Sequence, residues 1–494
     1  MTSPSTAAFL ARRHGHWIDG AAVPEGSEGE IVVLDPATEA PIARIAAGGQ
    51  AEVDQAVAAA RRALNGPWGD MPHDERTRIL LAFAALAEQH AGTITELAVL
   101  DNGMPWAIAE SCAPFCAMFL RYYAGWISKI SGQTLPSAAL GKKPSQLHAY
   151  TQREPIGVVG AITPWNYPFG MEMLKIAPVL ATGCTLVLKP AEDAPLAALL
   201  LAELASEAGV PPGVFNVVNG IGESAGAAVA AHEGIDKVAF TGSTEVGRHI
   251  VHAAAGNLKK VSLELGGKSP VLVYPDANLE TAIPGVALAA FMLQGQNCVC
   301  GSRVFAHVSI AEQLARGVAE FAASLNIGPG TDPKNMIGPL ISARQRDRVE
   351  GFFSSAAEEG ARCMGGGARV GERGYFVAPT VYTDCTPEMR IVREEIFGPV
   401  MAIQTFDRET PEELAARAND TNYGLSASIW TQDLRTAHTM SRLIDAGQVG
   451  VNCHAAMDPS MPFGGFKQSG WGREFGADAL ELYLRTKAVT MAWD

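Results

Sequence analysis

A cysteine stands where an apolar helical pattern breaks off. Residues 291–303 read F-M-L-Q-G-Q-N-C-V-C-G-S-R, so the run stops at Gly295 and two amides, and Cys298 follows just ahead of a strand-like stretch, 304–308. A sulfur held by a backbone turn beside a strand suits a nucleophile. Free cysteine is also among the most buried residue types, usually a small hydrophobe. This stretch alone leaves the two readings level.

Other residues carry chemistry of the same kind. Glu264 lies in S-L-E-L-G-G-K, a carboxylate within an otherwise apolar strand. Burial would raise its pKa toward that of a general base working near neutrality, whereas half exposure would make it an ordinary strand residue. Asn166, in T-P-W-N-Y-P, follows a strand among residues that fix the backbone; it is either an amide donor for an oxyanion or a turn former. The run F-T-G-S-T-E-V-G sets Gly242 and Gly247 around a helix start, where unpaired N–H groups can take a pyrophosphate or simply be capped. Lys189 and Glu192 end another strand, as ribose contacts or as a solvated pair. The loops 394–399 and 462–467 are unremarkable singly. None of these segments contains G-x-S-x-G or G-x-x-x-x-G-K-[ST], so at them serine hydrolysis and nucleotide hydrolysis lack their marks.

The elements that must position these residues alternate. Strand-like segments at 158–162, 185–188, 215–218, 238–240, 261–265 and 271–274 are interleaved with helical patterns at 196–208 and 225–231 and with a helix start after residue 243. This predicts βαβ units and a parallel, doubly wound sheet that binds ligands at the carboxyl ends of its strands. A second α/β pattern follows Cys298, with helices at 312–325, 347–359, 411–419 and 434–444 and strands at 400–405 and 426–430. Ahead of both, 16–20 and 31–34 read as an opening meander, and two amphipathic helices follow. The stripe Met118, Phe119, Tyr122 and Trp126 reads as core. A strand at 488–491 closes the chain and is expected to pair with another segment or subunit.

The chain has 494 residues, 48% of them hydrophobic, which suggests about three domains. Its formal net charge of −14, with no basic cluster, argues against a nucleic-acid or anionic-membrane partner. The eight cysteines form neither a disulfide framework nor a zinc set, and no metal is expected. The apolar patch 7–10 precedes Arg12 and Arg13, the reverse of a secretory signal, so a cytoplasmic protein without a membrane span is expected.

Taken together and in order, T-P-W-N-Y-P, L-K-P-A-E, F-T-G-S-T-E-V-G, L-E-L-G-G-K-S-P, G-Q-N-C, E-E-I-F-G-P-V and P-F-G-G-F-K-Q-S-G resemble the NAD(P)-dependent aldehyde dehydrogenase family over essentially the whole chain. The resemblance implies an α/β architecture: a Rossmann-type NAD-binding domain (1–130 and 151–263), an α/β catalytic domain (264–478) and a small β oligomerisation element (131–150 and 479–494). It makes Cys298 the nucleophile, Glu264 the general base and Asn166 the oxyanion donor, aided by the Cys298 N–H. It places NAD on Ile162, Thr163, Pro164, Trp165, Lys189, Glu192, Gly222, Gly226, Phe240, Gly242, Ser243, Gly247, Leu265, Glu395 and Phe397. Glu192 favours NAD over NADP, since a carboxylate would repel a 2′-phosphate. Family members are commonly dimers or tetramers.

The layout V-N-x-H then D-P-x-x-P-F-G-G looks like phenylacetaldehyde dehydrogenases. By family analogy Met171, Leu174, Met292, Met457 and Phe463 line an apolar entry suited to a hydrophobic aromatic aldehyde. Broad aliphatic or betaine aldehyde oxidation is the alternative, and a catalytically silent, crystallin-like protein a remote one. His454 reads as a loop histidine rather than a substrate contact, and Cys300 as a neighbour that could form a disulfide with Cys298.

Overall fold

The computed structural model describes residues 2–137 and 139–494. Its first sheet has eight strands. The centre is parallel, in the spatial order Phe215–Val217, Thr185–Lys189, Val158–Ile162, Lys237–Thr241, Lys260–Glu264. The first four are buried along their whole length, as strands covered on both faces must be. One edge is closed antiparallel by His16–Ile18 and then Ala21–Val23; the other is closed by Gly470–Trp471, from near the C-terminus, against Leu263 and Glu264.

The second sheet has seven strands in the order Arg362–Gly365, Thr380–Thr383, Val400–Phe406, Arg303–His307, Pro270–Val273, Ser426–Trp430, Gln448–Val451, all parallel except the first. Residues 265–269 are the whole link between Glu264, ending a strand of one sheet, and Pro270, starting a strand of the other. A third sheet is antiparallel and joins Leu484–Ala492 to Leu147–Pro155 and Thr134–Leu135. Among the described residues no helix is long and apolar enough to cross a membrane.

The five central strands of the first sheet and four strands of the second agree with the sequence reading, whereas Arg362–Gly365, Thr380–Thr383 and Gln448–Val451 had no counterpart in it. The opening meander does not form. His16–Ile18 joins the eight-stranded sheet, while Glu30–Asp35 pairs with Ala40–Ala46 in a separate hairpin. The helix expected at 225–231 opens as a wider turn, Gly222–Gly226, before Ala227–Ala231 continues it. The terminal strand is longer than its own residues suggested, because pairing with Leu147–Pro155 extends it over Leu484–Ala492. Within the aromatic stripe, Phe119 is buried but Met118 is exposed. The helices Pro4–Leu10 and Ala91–Asn102 had no counterpart in the sequence reading.

The helix Pro168–Thr182 carries several site residues and is buried almost throughout. Pro168 starts it at a position where the missing N–H costs nothing, and Gly183, at φ 80°, ends it in a left-handed turn. Fully buried Trp68 pins that end. Its indole N–H donates to the carbonyls of Gly183 (3.1 Å) and Cys184 (3.0 Å), and the Arg76 guanidinium lies 4.9 Å from its ring. Trp68→Ala is therefore expected to destabilise the protein by about 3–5 kcal/mol, read as a lower urea midpoint; an unchanged midpoint would show that this contact does not hold the helix.

Candidate active site

The thiol is set by a short, heavily pinned segment. Leu293 and Gln294 take positive φ values of 54° and 58°, and the amides around them are buried and bonded. The Gln294 amide donates to the Gly103 carbonyl (3.2 Å), and Gln296 Oε1 accepts from the Ile341 N–H (3.0 Å). Residues 297–300 then form a turn. The Cys300 N–H donates to the Asn297 carbonyl (3.1 Å) and the Val299 N–H to Asn297 Oδ1 (3.2 Å). Cys298 is half-buried, with its sulfur 3.8 Å from Asn297 Oδ1, and its backbone N–H finds no acceptor among the described residues.

Two strand ends of the eight-stranded sheet face this turn. Asn166, just past Val158–Ile162, is buried and donates one amide hydrogen to the Gln296 carbonyl (2.9 Å), which leaves its second hydrogen free. Glu264 ends Lys260–Glu264; it too is buried, and its Oε2 has no partner. Burial pushes its pKa up to about 8, against the opposing pull of Lys175 and Arg473. Lys175 is ion-paired to Glu474 and donates to Thr241 Oγ1 (2.8 Å); burial brings its own pKa down to about 8. Glu395 arrives from the opposite side and accepts from the Gly267 N–H (3.0 Å). Burial raises it to about 7, with the Gly267 N–H, Arg348 and Lys268 opposing. Burial first, and the Glu395 and Glu264 carboxylates next, push the Cys298 thiol up to about 12.

A cleft of about 790 Å³ unites these groups. Pro164, Trp165, Asn166, Met171, Gly242, Ser243, Glu264, Leu265, Cys298, Glu395 and Phe397 all line it. The Trp165 and Phe397 rings meet edge to face at 5.2 Å, and the Gln345 side chain holds the Phe397 carbonyl at 2.7 Å. The remaining nucleotide candidates sit on neighbouring strand ends. Ile162 is in register with both Lys189 and Phe240, and the Thr163 N–H donates to the Lys189 carbonyl. Lys189 and Glu192 are ion-paired at 2.6 Å, with the Gly222 N–H 3.4 Å from Glu192 and Gly226 facing the Lys189 side chain. The Phe240 ring fills the space a Cβ on Gly242 would need, and Gly247 packs against Leu265.

Of the residues expected at the substrate entry, Met171 lines this cleft. Leu174 and Phe463 are buried in the core cluster that backs Cys298, and Met292 and Met457 are exposed outside the cleft lining. Phe115 and Tyr167, which the sequence reading passed over, pack edge to face at 5.6 Å against the same cluster. Two aromatic residues 52 positions apart give no periodic signal, so only the fold unites them. Gln345 and Arg348, also on the cleft, were missed for the same reason. Cys300 is buried with its sulfur toward the Ala290 carbonyl (3.3 Å), every cysteine is free, and the structure offers no Cys298–Cys300 bond. No group of three or more His, Cys, Asp or Glu side chains among the described residues could hold a metal ion.

Residues 23–489 match the model of the aldehyde dehydrogenase family. The chain belongs to that family. It is 46% identical over 477 residues to aldehyde dehydrogenase 1 of Tanacetum cinerariifolium, covering 96% of this chain and 94% of the relative. It is 43% identical over 481 residues to a mitochondrial benzaldehyde dehydrogenase of Antirrhinum majus, covering 96% and 88%. A solved NAD+ complex of aldehyde dehydrogenase from Bacillus cereus superposes with a TM-score of 0.97 at 42% identity, covering 100% of this chain and 99% of that one.

In this aldehyde dehydrogenase, the buried Glu264 carboxyl is linked to stability. Between its ordinary 4.5 and about 8, Glu264 keeps its proton in the folded chain after the unfolded chain has lost it. The folded state binds more protons there, so this contribution favours folding at the acid end and is lost as pH rises through the window. Glu264→Gln does not ionise. The difference in Tm, wild type minus variant, is expected to fall as pH rises from about 5 to about 8; a difference independent of pH would show Glu264 titrating normally.

Proposed function

We propose that the protein oxidises an aldehyde to its carboxylic acid with NAD, through covalent intermediates on Cys298, and that its preferred substrate is an aromatic or hydrophobic aldehyde such as phenylacetaldehyde. The observation that carries this reading is the convergence of a half-buried thiol, a free amide hydrogen on Asn166, an unpaired Cys298 N–H and a partnerless carboxyl on Glu264 at one cleft.

The cleft fits the cofactor. The Phe240 ring packs against the bare Gly242, and Ser243 caps the helix Thr244–Ala254, whose first-turn N–H groups suit a pyrophosphate. Lys189 and Glu192 would hold the adenosine ribose, and Glu395 and Phe397 the nicotinamide end. When bound, NAD supplies the hydride acceptor. The Glu192 carboxylate, held below its ordinary range chiefly by the Lys189 ammonium and by hydrogen bonds that outweigh burial, selects against a 2′-phosphate.

A neighbouring carboxylate takes the Cys298 proton, and the sulfur adds to the aldehyde carbon. The resulting oxyanion is held by the Asn166 amide and the Cys298 N–H. When the oxyanion re-forms its carbonyl, the carbon–hydrogen bond breaks, hydride leaves and a thioester remains on Cys298. Glu264 then removes a proton from water, the hydroxyl adds to the thioester carbon, and the acid departs with release of the sulfur.

Residues 1–130 and 151–263 form the NAD-binding domain in this reading, 264–478 the catalytic domain, and 131–150 with 479–494 the element that builds a dimer or tetramer. The aromatic preference is supported by Met171 on the cleft and by the run of rings Tyr167, Phe115, Phe119, Phe475 and Phe463 behind it, each within 5.6 Å of the next.

The test is NADH formation with phenylacetaldehyde, benzaldehyde, hexanal, betaine aldehyde and succinic semialdehyde. The highest kcat/KM is expected for phenylacetaldehyde, and equal values across the panel would overturn the aryl preference. Cys298→Ala is expected to lower kcat by about 10³-fold or more; turnover surviving it, or none by the wild type, would overturn the reading. Glu264→Gln is expected to give one burst of NADH and then stall as a thioester, and unimpaired steady turnover would remove Glu264 as the base.

A further inference from the structure

His454 neither lines the cleft nor faces solvent as a loop histidine would. The loop after Gln448–Val451 is nailed down by Asn452, whose side chain exchanges hydrogen bonds with the backbone of Thr431 (3.0 and 2.9 Å). Asn452 and Ala455 both take left-handed backbone angles, φ 54° and 48°, which side-chain-bearing residues seldom adopt. These two bends bracket His454 and aim its ring inward. There Nε2 lies 2.6 Å from the Val299 carbonyl and Nδ1 lies 3.0 Å from Ser428 Oγ.

The partners dictate the proton positions. A carbonyl only accepts, so Nε2 carries the hydrogen and Nδ1 must accept from the Ser428 hydroxyl. Ser428 is fully buried and itself accepts from the Trp430 indole N–H (3.3 Å). The polarity therefore runs one way, from Trp430 through Ser428 and His454 to Val299. Burial also keeps the imidazole pKa below its ordinary value, which is consistent with a neutral ring.

The end of this chain is one residue from the thiol. The peptide joining Val299 to Cys300 is gripped on both sides, its N–H by the Asn297 carbonyl and its C=O by His454. We propose that His454 is a positioning residue for the nucleophile: its grip on the Val299 carbonyl fixes the turn 297–300 in the form that presents both the Cys298 sulfur and the free Cys298 N–H to the cleft. Without it, that carbonyl is buried and unpaired, and the peptide can rotate to seek a partner, carrying the sulfur and the oxyanion donor out of alignment. The inference rests on the reading of Cys298 as nucleophile.

The experiment compares full-length wild type with His454→Phe, His454→Gln, Ser428→Ala and Cys298→Ala. It measures kcat and KM with phenylacetaldehyde and hexanal, the alkylation rate of Cys298 by iodoacetamide, and Tm. His454→Phe is expected to lower kcat by about ten- to a hundred-fold, with KM within about threefold, because ground-state binding does not use the turn while the reacting geometry does. Its Cys298 alkylation rate should change by about fivefold or more. His454→Gln restores a donor at the same reach and is expected to recover most of kcat. Wild-type kcat and alkylation in His454→Phe would overturn the inference, as would losses that track Tm and are not rescued by glutamine. Should His454→Phe fail to fold, Ser428→Ala decides: a kcat loss of about threefold or more at unchanged Tm supports the inference, and wild-type kcat overturns it. Turnover surviving in Cys298→Ala would instead sink the nucleophile assignment itself, a result separable from any effect at His454.

Discussion

The active site exists because two consecutive residues carry no side chain. A Cβ on Gly266 would lie 2.2 Å from Glu395 Oε2, and one on Gly267 would lie 2.2 Å from the Cys298 carbonyl oxygen. At these two positions the link between the large sheets is pressed on one side by the loop bearing Glu395 and on the other by the turn bearing the thiol. A side chain at 267 would press on the backbone of the thiol turn, and one at 266 would displace the Glu395 carboxylate. Glu264 on one sheet, the thiol ahead of the other and the Glu395 carboxylate share a cleft in this arrangement while the backbone at 266–267 stays bare. The Gly267 N–H uses that closeness to hold Glu395.

Burial is the second organising force, and it acts on almost every ionisable group present. Glu264, Glu395 and the Cys298 thiol are raised, and Lys175 and Lys268 are lowered. Desolvation suppresses charge on each of these groups by itself, so their protonation states depend on one another. Burial and the nearby carboxylates favour the protonated form of the Cys298 thiol.

Much of this was legible in the order of residues. The parallel strands were readable because fully covered strands are near-continuous apolar runs, as at Thr185–Lys189 and Lys237–Thr241. Cys298, Glu264 and Asn166 were each ambiguous in isolation; a half-exposed Glu264 would have been an ordinary strand residue, yet it is 5% exposed with an unpaired oxygen. What stayed hidden depended on contacts between distant segments. Tyr167 and Phe115 carry no mark of their proximity, Leu174 and Phe463 turned inward, and His454 looked like a loop residue because its partners, Ser428 and Val299, are 26 and 155 positions away. The opening strand His16–Ile18 was placed wrongly for the same reason, since its partner Val217 lies two hundred residues on.

The eight-stranded sheet is closed at its two edges by segments far apart in sequence, His16–Ile18 with Ala21–Val23 on one side and Gly470–Trp471 on the other. A chain emerging from the ribosome can assemble the five central strands once residue 264 is out. The flank of Lys260–Glu264 then stays open until residue 471 appears, more than two hundred residues later. Through that interval the nascent protein displays an unpaired strand edge at Glu264. Synthesis of this molecule therefore includes an obligatory stage in which the half-built sheet must be kept from other strands, and premature truncation anywhere before Gly470 leaves a product with that edge permanently uncovered.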